Sequence, residues 1–160
     1  MSSFYLVYTS NSNSKWLSTD DSHILQKSIR TVIYDENNKY FEILLDKGYR
    51  CDGLSVPKMF RWYLPSWDKE NSDYNLTGAI HDALYTVKGA NLFTREKCDD
   101  VFRGLLRDSG ISRVKAGLAD LAVGLFAGGD KHWGNDSWNN KDKIHVNMDG
   151  CSTSPASLPY

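Results

Sequence analysis

The rhythm of apolar and polar positions changes once along this chain, near Pro57. Before it, short runs alternate as strands do; after it, apolar residues recur at helical spacing. Residues 4–8 alternate weakly and predict a short strand, followed by the polar loop Asn11-Ser12-Asn13-Ser14. Two runs rich in β-branched and aromatic residues, 29–34 and 40–45, flank the turn-forming Asp35-Glu36-Asn37-Asn38 and predict a hairpin. Asp46-Lys47-Gly48 ends the second run. A further extended piece over 49–51 leads into Asp52-Gly53-Leu54-Ser55-Val56-Pro57.

Pro57 suits the first position of a short helix through Tyr63, with Ser55 or Asp52 available to cap its free amides. Leu64-Pro65 stops it, and 66–73 reads as a polar loop. A long helix is predicted over 75–87, ended by Lys88-Gly89. Thr94 caps a second, 95–108, with Val101, Phe102, Leu105 and Leu106 on its apolar stripe. Ser112 opens a third, which passes through Leu118, Leu121, Ala122 and Leu125 and stops at Gly128-Gly129. Beyond Asp130 the composition turns to Asn, Asp, Lys, Ser and Pro, with at most one short strand over 144–147. The expectation is an α+β chain: a small antiparallel sheet, then a cluster of three to four helices. Residues 1–133 form one domain, and 134–160 an irregular, partner-ordered tail.

Composition narrows the partners. An apolar fraction of 41%, a charged fraction of 24% and a net charge of -1 are ordinary for a globular protein, and offer no basic surplus for nucleic acid. No apolar run approaches the ~20 residues of a transmembrane helix. Met1-Ser2-Ser3-Phe4 lacks the basic and apolar regions of a signal peptide, so synthesis in a cytoplasm is expected. Cys51, Cys98 and Cys151 have neither the number nor the spacing of a disulfide framework or a cysteine zinc site. Trp62, Tyr63, Trp67, Trp133 and Trp138 cluster around the region of the candidate site and read as core and lid packing rather than a lipid- or sugar-facing surface.

The candidate chemistry lies on the two long helices. His81 and Tyr85 are four apart and share a face, whereas Asp82 diverges from His81 by about 100° around the axis. His81 can therefore meet a partner helix while Asp82 turns to the preceding loop. On the second helix Asp99 lies three residues before Phe102, beside the apolar stripe, and can reach His81; Asp100 lies further round. Two readings stay open. In one, His81 is a general base acting on water, Asp99 holds its tautomer, and Asp82 with Asp52 binds a divalent cation. Oxygen ligands would suit calcium or magnesium, and His81 with Asp82 and Asp99 on one ion would suit zinc or manganese. In the other, His81 and Asp99 are a polar tie between helices, with Tyr85 hydrogen-bonded into it. No serine sits in a nucleophile elbow, and no glycine loop cradles phosphate. His23 and His145 show no partnering pattern, and His132 could swing toward the site from Asp130-Lys131-His132-Trp133.

Three segments together resemble a known family: Gly48-Tyr49-Arg50-Cys51-Asp52-Gly53-Leu54-Ser55-Val56-Pro57, then Ile80-His81-Asp82-Ala83-Leu84-Tyr85, then Thr94-Arg95-Glu96-Lys97-Cys98-Asp99-Asp100-Val101-Phe102. Their order and content are similar to the domain of unknown function 1353 family of tailed phages and prophages, over about residues 40–133. The resemblance implies a phage origin without implying a reaction. The His-Asp-x-x-Tyr helix followed by Asp-x-x-Phe also resembles the calcium-dependent secreted phospholipases. By that likeness His81 matches the base, Asp82 the calcium ligand, Asp99 the orienting carboxylate and Tyr85 a supporting hydrogen bond. The chain lacks their cysteine framework, and lacks their calcium loop unless Asp52-Gly53 replaces it.

Three functions compete on these grounds. One is a hydrolase of a host-envelope component, lipid ester or peptidoglycan, carried in the virion as a tail or baseplate accessory. Another is a non-catalytic virion protein contacting other phage structural proteins. The third is a small phage factor that binds a host protein in the host cytoplasm. Catalytic roles fall on His81, Asp99 and Tyr85, and cation binding on Asp82 and Asp52. The oligomeric state is not legible in the residues.

Overall fold

The computed structural model describes residues 5–9, 16–34, 40–53, 64–115, 117–118, 121 and 133–148. In chain order its elements are β1 (Tyr5–Thr9), β2 (Trp16–Ser18), β3 (His23–Leu25), β4 (Ile29–Tyr34), β5 (Tyr40–Leu45), β6 (Arg50–Cys51), α1 (Ser72–Thr86), α2 (Arg95–Asp108) and β7 (Ile144–Asn147). The architecture is α+β. Two antiparallel sheets, ordered β1-β4-β5-β7 and β2-β3-β6, precede and flank the helices.

β4 and β5 pair from Ile29↔Leu45 to Tyr34↔Tyr40, the hairpin that the two β-branched runs predict. Along β5, Phe41, Ile43 and Leu45 are buried while Glu42 turns away and meets Arg30 at 2.7 Å across the pair. This inward row meets Leu76, Ala79, Ile80, Ala83 and Leu84 of α1, whose spacing is that of one helical stripe, together with Val101 and Leu105 of α2. Sheets and helices thus share one core. Each fully buried Leu or Ile there stabilises the fold by roughly 1.5–3 kcal/mol.

Helix boundaries follow their caps. Asn71 accepts a hydrogen bond from the Tyr74 amide at 3.0 Å, so α1 starts at Ser72, three residues before the apolar periodicity begins. Ser72 and Asp73 are polar because a first turn is solvated, which is why they read as loop. Thr94 caps α2 on the Lys97 amide, as expected. The described residues of 113–121 are helical, with Ser112 capping the Lys115 amide at 3.2 Å. The short helix expected over 57–63, and the end of the third helix at Gly128-Gly129, lie outside the described residues.

Two strand pairings were not readable beforehand. β2 and β3 are three residues each, too short to show a period, and are joined by a turn in which Thr19 and Ser22 exchange hydrogen bonds. The strand read at 144–147 is β7, and it pairs with β5 as Leu45↔Ile144 and Ile43↔Val146. The approach to it is fastened by Asn140, whose side chain accepts from the Arg50 amide at 3.1 Å and donates to the Arg50 carbonyl at 2.6 Å.

Between the two helices the backbone makes an unusual turn. Lys88, Gly89, Ala90 and Asn91 all have positive φ, from 50° to 63°. Only glycine adopts this left-handed conformation without cost, so Ala90 carries a penalty of roughly 1–2 kcal/mol. Ala90→Gly is expected to stabilise the protein by about 1 kcal/mol, measured as a higher urea midpoint at unchanged slope. An unchanged or lower midpoint would show that the turn is not held left-handed in solution.

Candidate functional site

α1 and α2 pack side by side, and the polar positions set into their apolar faces meet. His81 Nε2 lies 2.9 Å from Asp99 Oδ1, and the Tyr85 hydroxyl donates to the same oxygen at 2.7 Å. The side chains of His81 and Asp99 are only 14% and 12% exposed, which makes this an enclosed network rather than a surface pair. Asp100, one residue on, is exposed and pairs with Arg103. Two rings pack against the imidazole at a tilt, Tyr85 with centroids 4.4 Å apart and planes at 45°, Phe102 at 4.5 Å and 39°.

Electrostatics decide the protonation. Burial alone would raise the Asp99 carboxyl, but the hydrogen bonds from His81 and Tyr85, with the nearby charges of His81 and Arg103, hold it below the usual carboxylate range. A carboxylate cannot donate, so the 2.9 Å contact is Nε2–H donating to Oδ1. In the neutral ring the lone pair then resides on Nδ1. Tyr85 is shifted the other way: burial, and donation to a negative Asp99, keep its hydroxyl protonated far above neutral pH.

Asp82 turns away from this network, as the 100° step predicts. Its surroundings are those of β6 and the following loop. Tyr49 donates to the Ala79 carbonyl at 2.9 Å, laying that strand across the α1 face that carries Asp82. The charge of Asp82 is felt at Cys51 and Tyr49, and that of Asp52 at Asp82. Part of Asp82 still touches solvent, yet protein crowds its carboxyl, and this desolvation, reinforced by Asp52, pushes it well above the carboxylate range. Asp52 itself is exposed. Gly53 beside it is left-handed (φ 83°) and lies against the Ser66 carbonyl, where any Cβ would collide. Among the described residues, no group of three or more His, Cys, Asp or Glu side chains is placed to hold a metal ion. His81 and Asp99 bond to each other, leaving Asp82 and Asp52 as the pair with oxygen to offer a hard cation such as calcium.

The contacts of three residues escaped the sequence reading. His23 has a partner after all: its ring stacks on Trp67 at 3.6 Å and 10°, and Nδ1 lies 2.8 Å from Ser18 Oγ. Burial lowers its pKa, partly opposed by Asp52. The signal was the unrecognised β2–β3 hairpin, which sets Ser18 opposite His23. His145 likewise meets Asp46 at 2.8 Å across the β5–β7 edge. The third is Trp133, named in the aromatic cluster, whose ring stands edge-on to Tyr85 at 5.2 Å and 86°. Trp62, Tyr63 and His132 lie outside the described residues. Cys51 and Cys98 are free, buried thiols; burial pushes Cys98 up to about 12, which makes it a packing group. Among the described residues no helix is long and apolar enough to cross a membrane.

The family model described as "Protein of unknown function (DUF1353)" matches residues 28–123, more than half of the chain, and includes Asp52, His81, Asp82, Tyr85 and Asp99 but not Ser18, His23, Trp133 or His145. No curated protein and no solved structure matches the chain.

Proposed function

The chain belongs to the DUF1353 family, and from that premise we propose that it is a hydrolase in which His81 activates water against a bond of a bacterial envelope component, a lipid ester or peptidoglycan. The observation that carries the reading is the convergence of His81 Nε2 and the Tyr85 hydroxyl on one oxygen of Asp99. That arrangement fixes the tautomer with its lone pair on Nδ1, the nitrogen that takes the proton from water. Asp99 then stabilises the imidazolium as hydroxide attacks. A polar tie between helices needs only one hydrogen bond. Here the carboxylate is held twice and the imidazole packs against both Tyr85 and Phe102, which is the pre-organisation a base requires.

Asp82 and Asp52 supply the electrophilic side of the proposal. A divalent cation held by them would polarise a substrate carbonyl and stabilise the developing oxyanion. Two carboxylates suit calcium, and the likeness of the His-Asp-x-x-Tyr helix to the calcium-dependent phospholipases supports the lipid ester as the first substrate to try. Phage origin and a place in the virion complete the proposal; the three quoted motifs support the first.

The test is turnover. The purified chain is expected to release fatty acid from anionic phospholipid vesicles, or soluble fragments from isolated peptidoglycan, and to do so faster with calcium present. No release from either substrate, with or without calcium, overturns the hydrolytic reading. Mass spectrometry of purified phage particles tests the virion assignment, which absence from the particle overturns.

A further inference from the structure

We infer that Trp133 is a positioning residue for His81, acting through Tyr85 and Asp99. The kinetic part of this inference rests on the hydrolytic reading; the structural part does not. Tyr85 is gripped at both ends. Its hydroxyl donates to Asp99 Oδ1, while its carbonyl accepts the Gly134 amide at 2.8 Å and its ring takes the edge of Trp133. Any swing of Tyr85 about its Cα would withdraw one of the two hydrogen bonds that hold Asp99.

The fold prepares a seat for this contact. Gly89, in the left-handed turn, has no side chain where a Cβ would come 3.7 Å from Trp133 and 3.0 Å from Phe93. Gly134 is itself left-handed (φ 83°) and sits on the aliphatic stem of Lys88, where a Cβ would overlap. The turn between α1 and α2 therefore presents a flat surface to Trp133-Gly134. Beyond it, Asn140 fastens the same segment to Arg50, and β7 fastens it to β5. Trp133 is thus anchored on its C-terminal side to the sheets and reaches back to the helices.

The test compares Trp133→Phe, which keeps an aromatic edge, with Trp133→Leu and Trp133→Ala in the full chain. Side-chain nitrogen NMR is expected to show His81 as a single Nε2–H tautomer in the wild type and in Trp133→Phe, and as a mixture in the Leu and Ala variants. With turnover in hand, the Leu variant should lose about tenfold in kcat at unchanged KM and shift the acid limb of its pH profile, with Trp133→Phe restoring both. Should Trp133→Ala fail to fold, Trp133→Leu decides. A folded Leu variant with the wild-type tautomer and pH profile overturns the inference. A wild type without turnover, but with tautomer mixing in the Leu variant, rejects the hydrolytic reading and upholds the positioning role.

Discussion

Replacing His81 by glutamine is expected to lower hydrolysis by roughly two to four orders of magnitude, the usual worth of a positioned general base, while the protein stays folded. Glutamine is the informative choice. Its amide nitrogen overlays Nε2 and can still donate to Asp99, so the buried carboxylate keeps both partners; alanine would strand it on Tyr85 alone at a cost of about 1–3 kcal/mol. Asp99→Asn should fall nearly as far, because an amide oxygen carries no charge to stabilise the imidazolium. The double variant should be little worse than either single one, since the two residues act as a unit. Full activity in His81→Gln, with correct folding shown by circular dichroism, would leave the network a tie between helices and nothing more.

Asp82→Asn should do the reverse of what a buried-residue substitution normally does: it should stabilise. The Asp82 carboxyl sits well above the carboxylate range in the folded protein because its surroundings are crowded and Asp52 repels it. Below about pH 4 it is protonated whether folded or not. As the pH rises through the gap up to the folded value, the unfolded chain gives up its proton first, and the native state loses stability. The loss deepens until the folded carboxyl also ionises. Removing the titrating carboxyl should raise stability at neutral pH by about 2 kcal/mol, some 4–8 °C in Tm for a chain of this size, and should flatten the fall in stability that sets in above about pH 4. Calcium should raise the Tm of the wild type and leave Asp82→Asn unmoved. An Asp82→Asn variant that melts lower than the wild type at pH 7 would mean that Asp82 is a paired structural group instead.

What the sequence disclosed and withheld divides along physical lines. The long periodic elements were legible, α2 and the β4–β5 hairpin to the residue, because burial of one face imposes a repeat on the residues that supply it. So was the choice of Asp99 over Asp100, a matter of angle around one helix. The β2–β3 hairpin was not, and with it went the setting of His23, since three-residue strands are specified by what they pair with and not by their own pattern. Trp133 stood among the tryptophans noted near the site, but its contact with Tyr85 depends on two glycines and a left-handed turn, none of which leaves a periodic trace.

The β5–β7 pair carries a consequence for the chain while it is being made. Leu45 and Ile144 meet across about a hundred residues of sequence, the kind of non-local pairing that slows folding. As it leaves the ribosome, the β4–β5 hairpin must wait through synthesis of both helices with one side of β5 unpaired, a template for any other extended segment nearby. A nascent chain halted before Ile144 should accordingly be the aggregation-prone species, and one extended past Asn147 should escape it.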